Sequence, residues 1–196
     1  YSGLDYAEYY SQFPSHNTVC VDGISSYPVM KSNHSFDLLS CFPASAEPGK
    51  AFTSVTYSNL YFREPESRAD QTRMMSIVTT GAETGYYVDV FRSRKEKGGD
   101  KMHDYFYQNL EQTLTLTATN KDVKATFTID MKDKDGDDIY MNLWMKGELD
   151  REVFTALAPM TEGLSRTPGM PYNIKEQPTL TFVARQHGEA WNHPFM

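Results

Sequence analysis

Thr113-Leu-Thr-Leu-Thr-Ala-Thr119 alternates threonine with an aliphatic residue at every step. A period of two is that of an extended strand with one face buried and the other wet. Lys124-Ala-Thr-Phe-Thr-Ile-Asp130 repeats the alternation, and Asp133–Asp138, DKDGDD, turns the chain into Ile139-Tyr-Met-Asn-Leu-Trp144. The reading is a β-hairpin on an antiparallel sheet.

Working outward, the same test marks strands at Thr18–Val21, Ser35–Cys41, Phe52–Phe62, Arg73–Thr79, Tyr86–Arg92 and Thr179–Ala184. Turn residues recur at short intervals, which favours a sandwich or barrel. No long stretch carries a helical stripe. Glu148–Leu157 comes nearest, and Pro159 would end it. Thr161–Gln177, with Gly163, Pro168, Gly169 and Pro171, reads as a long surface loop. The fold class expected is all-β, an antiparallel β-sandwich. Tyr1 opens the chain without a cap or leader, and the apolar run Trp191–Met196 reads as the start of another strand. The expectation is one β-sandwich domain, residues 1–196, truncated at both ends of a longer polypeptide.

A chain of 196 residues can bury a sizeable core, and 13% aromatic residues is a globular composition. No apolar run is long enough for a membrane-spanning helix. A net charge of −7 argues against general nucleic-acid binding. The locally basic stretch Arg92, Arg94, Lys95, Lys97 and Lys101, broken by Glu96 and Asp100, reads as a solvated hairpin loop. The spacing of Cys20 and Cys41 fits neither a zinc knuckle nor a CxxC site, and leaves their pairing open.

Ser15-His-Asn-Thr-Val-Cys-Val-Asp-Gly23 places His16 and Asn17 at the mouth of a core strand that Asp22-Gly23 terminates. A histidine held there suits a ligand or proton carrier, or it simply hydrogen-bonds the backbone at a strand end. DKDGDD has part of a calcium-loop spacing, but position 142 is Asn and strands flank it, so a polar turn is the better reading. His103 stands beside Asp104, ahead of aromatic residues. A carboxylate would favour its charged form, yet strand neighbours point to opposite faces. Arg185-Gln-His187-Gly-Glu-Ala-Trp191-Asn192 is dense in polar groups. Arg185 could fork onto a sugar carboxylate and Trp191 offers a flat apolar face, but such residues are equally at home on a sandwich edge. No GxSxG, P-loop, HExxH or GxGxxG occurs.

Three stretches taken together resemble the β-sandwich part of the heparinase II/III-like polysaccharide lyases. They are SHNTVCVDG preceded by Tyr9-Tyr10, Tyr86–Arg92 followed by His103-Asp-Tyr105, and Arg185–Asn192 followed by Pro194-Phe195. The resemblance implies a supersandwich-type fold behind an N-terminal helical toroid of the same parent chain. It implies cleavage of uronic-acid-containing polysaccharides by β-elimination, in a secreted or periplasmic setting. It also implies a zinc ion in several members, with His16 in the place of one ligand and the others outside this chain, upstream of Tyr1. Tyr1 or Tyr6 would stand where the family has a cleft tyrosine. Asn17, His103, Arg185, His187 and Trp191 are the remaining substrate-cleft candidates. Gln108 departs from the family, many of whose members carry His there, and no complete set of catalytic residues is expected within this chain. The competing expectation is a non-catalytic glycan-binding or structural sandwich.

Overall fold

The computed structural model describes residues 9–25, 36–43, 55–97, 101–109, 113–132, 138–159 and 178–196. They form β1 (Val19–Val21), β2 (Asp37–Phe42), β3 (Val55–Arg63), β4 (Asp70–Thr79), β5 (Gly85–Arg94) and β6 (Met102–Gln108). These are followed by β7 (Thr113–Ala118), β8 (Asp122–Lys132), β9 (Asp138–Lys146), β10 (Arg151–Ala158) and β11 (Thr179–His187). Among the described residues there is no α-helix, and a 3-10 turn at Phe13–Ser15 leads into β1.

The strands make three antiparallel sheets, ordered β1-β6-β11-β10, β2-β3-β4-β5 and β7-β8-β9. The chain is an antiparallel β-sandwich. Alternation decides which side chains go inward. In the third sheet, Val123, Ala125, Phe127 and Met145 are buried, while Lys124, Trp144 and the threonines Thr113, Thr115 and Thr117 face water. Val19 and Val21 of β1, Phe91 of β5, Tyr105 of β6 and Phe182 of β11 join them in one core. Its aromatic centre is tight: Tyr105 stacks on Phe195 with ring centroids 5.6 Å apart, and Phe91 meets Tyr105 edge-on at 6.5 Å.

One strand is added and two sequence expectations are corrected. Glu148–Leu157, the nearest approach to a helical stripe but not read as a helix, holds most of β10, which the alternation does not mark. Its residues pair one-for-one with β11 from Arg151↔Gln186 to Ala158↔Thr179, and this ladder overrides the helix-forming Glu, Ala and Leu. The basic stretch after Tyr86–Arg92 is not all loop. Arg92 and Arg94 belong to β5, and the Lys95 ammonium lies 2.6 Å from the Asp22 carboxylate with both groups mostly covered. Trp191–Met196 does not start a strand within the described residues. Phe195 instead makes a single bridge to Phe91, exchanging both backbone hydrogen bonds at 2.9 and 3.0 Å. The Lys146 N–H donates to the Met196 carbonyl at 2.7 Å, so this last segment stitches β5 to β9. Arg151 secures it by donating to the carbonyls of His193 and Pro194 and covering the Phe195 ring.

The β8–β9 hairpin forms as the alternation predicts, with Ile129↔Ile139 near its tip. DKDGDD up to Asp137, the Thr161–Gln177 loop, Ser35 and Phe52–Ser54 lie outside the described residues. Cys20 and Cys41 are both free thiols. Burial pushes the Cys20 thiol up to about 12, with nearby Asp104 and Glu64 adding to it, so it packs as an apolar group.

Candidate functional site

Asn17 extends the β1–β6 ladder by one step with its side chain. The Gln108 N–H donates to Asn17 Oδ1 at 2.7 Å, and Asn17 Nδ2 donates back to the Gln108 carbonyl at 3.2 Å. A side-chain amide thus plays the part of a strand residue, which only Asn or Gln can do with both groups. Gln108, in turn, donates from its own amide to the Tyr9 hydroxyl at 3.1 Å and to the Pro14 carbonyl. The strand entrance is therefore held on both sides. His16 caps the 3-10 turn, its N–H donating to the Phe13 carbonyl at 3.0 Å, and its side chain is exposed.

The Asn17 carbonyl faces a second anchor. Arg73 Nη1 donates to it at 2.8 Å, while Arg73 Nε and Nη2 fork onto the Asp89 carboxylate at 2.9 and 2.7 Å. Tyr105 donates its hydroxyl to the same carboxylate at 3.0 Å, and the guanidinium lies over the Phe91 ring. Burial raises the Tyr105 phenol well above its ordinary value of 10, and the adjacent Asp89 charge raises it further. It stays protonated near neutrality and acts as a donor. Burial works against the Arg73 charge, but the Asp89 fork outweighs it and the guanidinium is held more firmly charged. Asn17, Arg73, Asp89 and Tyr107 line a groove of about 660 Å³ that crosses β2 to β5, with Leu38, Tyr57 and Tyr87 along its walls.

The other candidates fall elsewhere. His103 is fully buried between sheets. Its Nε2 faces the Gly188 carbonyl at 3.0 Å and its Nδ1 faces Ser93 Oγ at 2.9 Å. A carbonyl only accepts, so Nε2 carries the hydrogen and Nδ1 accepts from the serine. Burial lowers its pKa below 6.5, overriding the Gly188 hydrogen bond and the Asp22 and Asp104 charges. Its neighbour Asp104 points to the opposite face, where Arg185 forks onto it at 2.7 and 2.9 Å and covers the Phe154 ring. His187 is exposed, 3.9 Å from Glu152, and Trp191 is half-buried. Of the sequence candidates, the groove takes Asn17; Arg185 and His103 sit on the outer face of the first sheet and in the interior respectively. Tyr1 and Tyr6 lie outside the described residues.

Arg73, Asp89 and Tyr107 are the groove residues that sequence reasoning passed over. The signal was present in the hairpin: β4 and β5 pair Arg73 with Phe91, which places Asp89 diagonally across from Arg73 on the same face. Among the described residues, no group of three or more His, Cys, Asp or Glu side chains is placed to hold a metal ion. His16 alone does not make a metal site.

No protein-family model and no solved structure matches the chain. An endo-acting ulvan lyase from Formosa agariphila is 28% identical to it over 178 residues, covering 71% of this chain and 20% of that protein. The chain thus spans about a fifth of the length of this curated relative and is similar to a polysaccharide lyase over most of its own.

Proposed function

We propose that this chain is the β-sandwich part of a polysaccharide lyase of the heparinase II/III-like kind, acting on uronic-acid-containing polysaccharides by β-elimination. The observation that carries the reading is the similarity to an endo-acting ulvan lyase over 71% of the chain. The groove supports it. Asn17, Arg73 and Asp89 offer a fixed set of planar donors and acceptors, and Tyr57, Tyr87 and Tyr107 supply aromatic walls, a lining suited to sugar hydroxyls and ring faces.

In the proposed reaction a base removes the C5 proton of the uronate, and the freed electron pair forms the C4–C5 double bond. The C4–O bond breaks, its electrons leave with the glycosidic oxygen, and that oxygen takes up a proton. Donors held near the uronate carboxylate would stabilise the charge that develops there. This chain's part is to position the polymer: Arg73 keeps two N–H donors beyond its three contacts, and Asn17 and Asp89 are held rigid by β1, β5 and β6. The base and the other catalytic groups belong to a helical toroid domain of the parent chain. Zinc enters the proposal through His16 alone, with its remaining ligands outside this chain. A secreted or periplasmic location follows from the substrate, since a charged polymer does not cross a bilayer.

One observation favours a second reading, a non-catalytic glycan-binding module. The charges at the groove's centre are committed to one another, Arg73 to Asp89, and the Tyr105 phenol stays protonated. Binding without chemistry needs nothing more. The deciding experiment incubates the full-length protein with ulvan, alginate, heparan sulfate and hyaluronan and follows ultraviolet absorbance. A conjugated unsaturated uronate absorbs, so growth on one polymer is the expected result. A flat trace on all four, with the polymers still retained, selects the binding module.

A further inference from the structure

β5 is the last strand of the second sheet and β9 the last of the third. A cavity of about 460 Å³ is walled by unbroken runs of both, residues 86–90 and 141–145, with Tyr105 and Tyr107 of β6 beneath it. Phe195 and Met196 line it too, and they bridge its two walls. Phe195 exchanges both backbone hydrogen bonds with Phe91 of β5, and the Met196 carbonyl accepts from the Lys146 N–H of β9. Consecutive residues that bond opposite neighbours behave as a strand inside a sheet. The two edges therefore stand two inter-strand spacings apart at this point, about 9.5 Å. The side chains follow the same pattern: Phe195 is buried and stacks on Tyr105, as its partner Phe91 is buried, while Met196 and Lys146 are exposed. Beyond this bridge, alternation turns the backbone groups of Asp89 and Tyr87 away from β4 and those of Trp144 and Asn142 away from β8. Among the described residues, none of the four bonds its backbone to a further segment. Open edges are ordinarily blunted by lysine, proline or a bulge. Tyr86-Tyr-Val-Asp-Val90 and Met141-Asn-Leu-Trp-Met145 contain neither lysine nor proline, and their ladders run through these residues without a shift.

We propose that this cavity is a strand slot, filled in the whole protein by an extended segment of the parent polypeptide from outside residues 1–196. It rests on the reading above that the chain is one part of a longer protein; its curated relative is matched over 20% of that relative's length. Alternate residues of the segment would bond Asp89 and Tyr87 of β5, and those between them Trp144 and Asn142 of β9. The residues bonding β5 face the interior, so they are apolar and cover Tyr105 and Tyr107; those bonding β9 face water and are polar. Once seated, the segment joins β2-β3-β4-β5 and β9-β8-β7 into one continuous sheet. Two facing rows of N–H and C=O groups at this spacing are the complement of a peptide backbone, and a sugar ring matches neither row. A slot one strand wide admits a lone strand and not the sheet edge of a second folded copy.

The test is amide hydrogen exchange on the full-length protein, read residue by residue. The amides of Val88 and Leu143, which face β4 and β8, are the reference. With the slot filled, the amides of Tyr87, Asp89, Asn142 and Trp144 should exchange within about tenfold of that reference; faster exchange, as at an open edge, overturns the slot. Trp144→benzoylphenylalanine, a photoreactive ring at an exposed position beside the slot, then identifies the occupant. Cross-links to a peptide of the same molecule outside residues 1–196 are the expected result. Cross-links confined to residues 1–196, or lost on dilution as those to a second copy are, overturn the proposal. The exchange measurement needs no variant, so it stands even where the substitution perturbs folding. The two readings fail separately. Unsaturated product from a uronate polymer with fast-exchanging edges removes the slot and keeps the lyase. Protected edges without product from any polymer remove the lyase and keep the slot.

Discussion

Two arginine–aspartate forks of nearly equal geometry stand in different sheets. Arg185 grips Asp104 on the outer face of the first sheet at 2.7 and 2.9 Å; Arg73 grips Asp89 between β4 and β5 of the second sheet, on its face toward the first, at 2.9 and 2.7 Å. Their surroundings differ. Asp104 is almost fully buried and has Arg185 as its fork partner, with Phe154 over the guanidinium. Asp89 is about a quarter exposed, shares its oxygens with Tyr105, and its arginine holds the Asn17 carbonyl as well. The outer fork is a closed pair. The inner one leaves donors and acceptors at a groove and ties three strands to the β1 entrance. An arginine's fitness for sugar is therefore decided by what remains unoccupied after its own carboxylate is satisfied.

That contrast can be broken most directly through stability. Arg185→Ala strands a carboxylate that water hardly reaches, and it should cost about 3 kcal/mol in urea unfolding. A loss within about 0.5 kcal/mol would reduce the outer fork to an ordinary surface ion pair. Arg73→Ala should cost less, about 2 kcal/mol, because water can resolvate the partly exposed Asp89. Function should invert the order. Retention on acidic-polysaccharide gels, measured on folded protein, should fall several-fold in Arg73→Ala and stay at the wild-type level in Arg185→Ala. Equal retention losses in the two variants would erase the distinction between the forks.

The strands themselves were legible because alternation is a local property. Thr113–Thr119 and Lys124–Asp130 announce one wet and one dry face without reference to the rest of the chain. β10 was not legible, since Arg151–Ala158 is rich in helix formers and becomes a strand only because β11 lies beside it. The site was half legible for a similar reason. Asn17 stands out beside a buried strand, but Arg73 and Asp89 are unremarkable until the β4–β5 register sets them diagonally across one face. Arg185 reads equally as a sugar ligand or a sandwich-edge residue in the sequence, because its partner Asp104 is distant along the chain and comes directly opposite only in the sheet.

The strand entrance sharpens the comparison at smaller cost. Asn17→Ala removes both side-chain bonds to Gln108 and should cost about 1.5 kcal/mol. Asn17→Asp keeps the acceptor for the Gln108 N–H but sets an oxygen against the Gln108 carbonyl, where Nδ2 now donates. It should be no better tolerated than alanine. If Asn17→Asp is as stable as wild type, the Nδ2 contact contributes nothing, and the Gln108 N–H bond to the retained oxygen and the Arg73 contact hold the entrance without it.

The smallest effect separates the groove from the interior beneath it. His103 is buried neutral, accepting from Ser93 and donating to Gly188, and burial holds its folded pKa below the ordinary 6.5. The unfolded chain therefore binds the proton first as pH falls. Stability is full above about 6.5 and declines below it until the folded pKa is reached, at no more than about 1.4 kcal/mol per pH unit, the ceiling for one proton. Asp22 acts in a separate, more acid window. Burial alone would raise its pKa, but the hydrogen bonds from Lys95 and the Met102 N–H lower it below 3.8, so its contribution is lost only as pH falls through that lower value. Urea unfolding from about pH 7 down to about pH 5 thus isolates His103 from Asp22. His103→Gln, which offers one donor and one acceptor without titrating, should flatten the slope in that range. Retention on polysaccharide gels should not follow the slope, because no bond of His103 reaches Asn17, Arg73 or Asp89. A variant that flattens stability and retention together would join the interior to the groove as one unit.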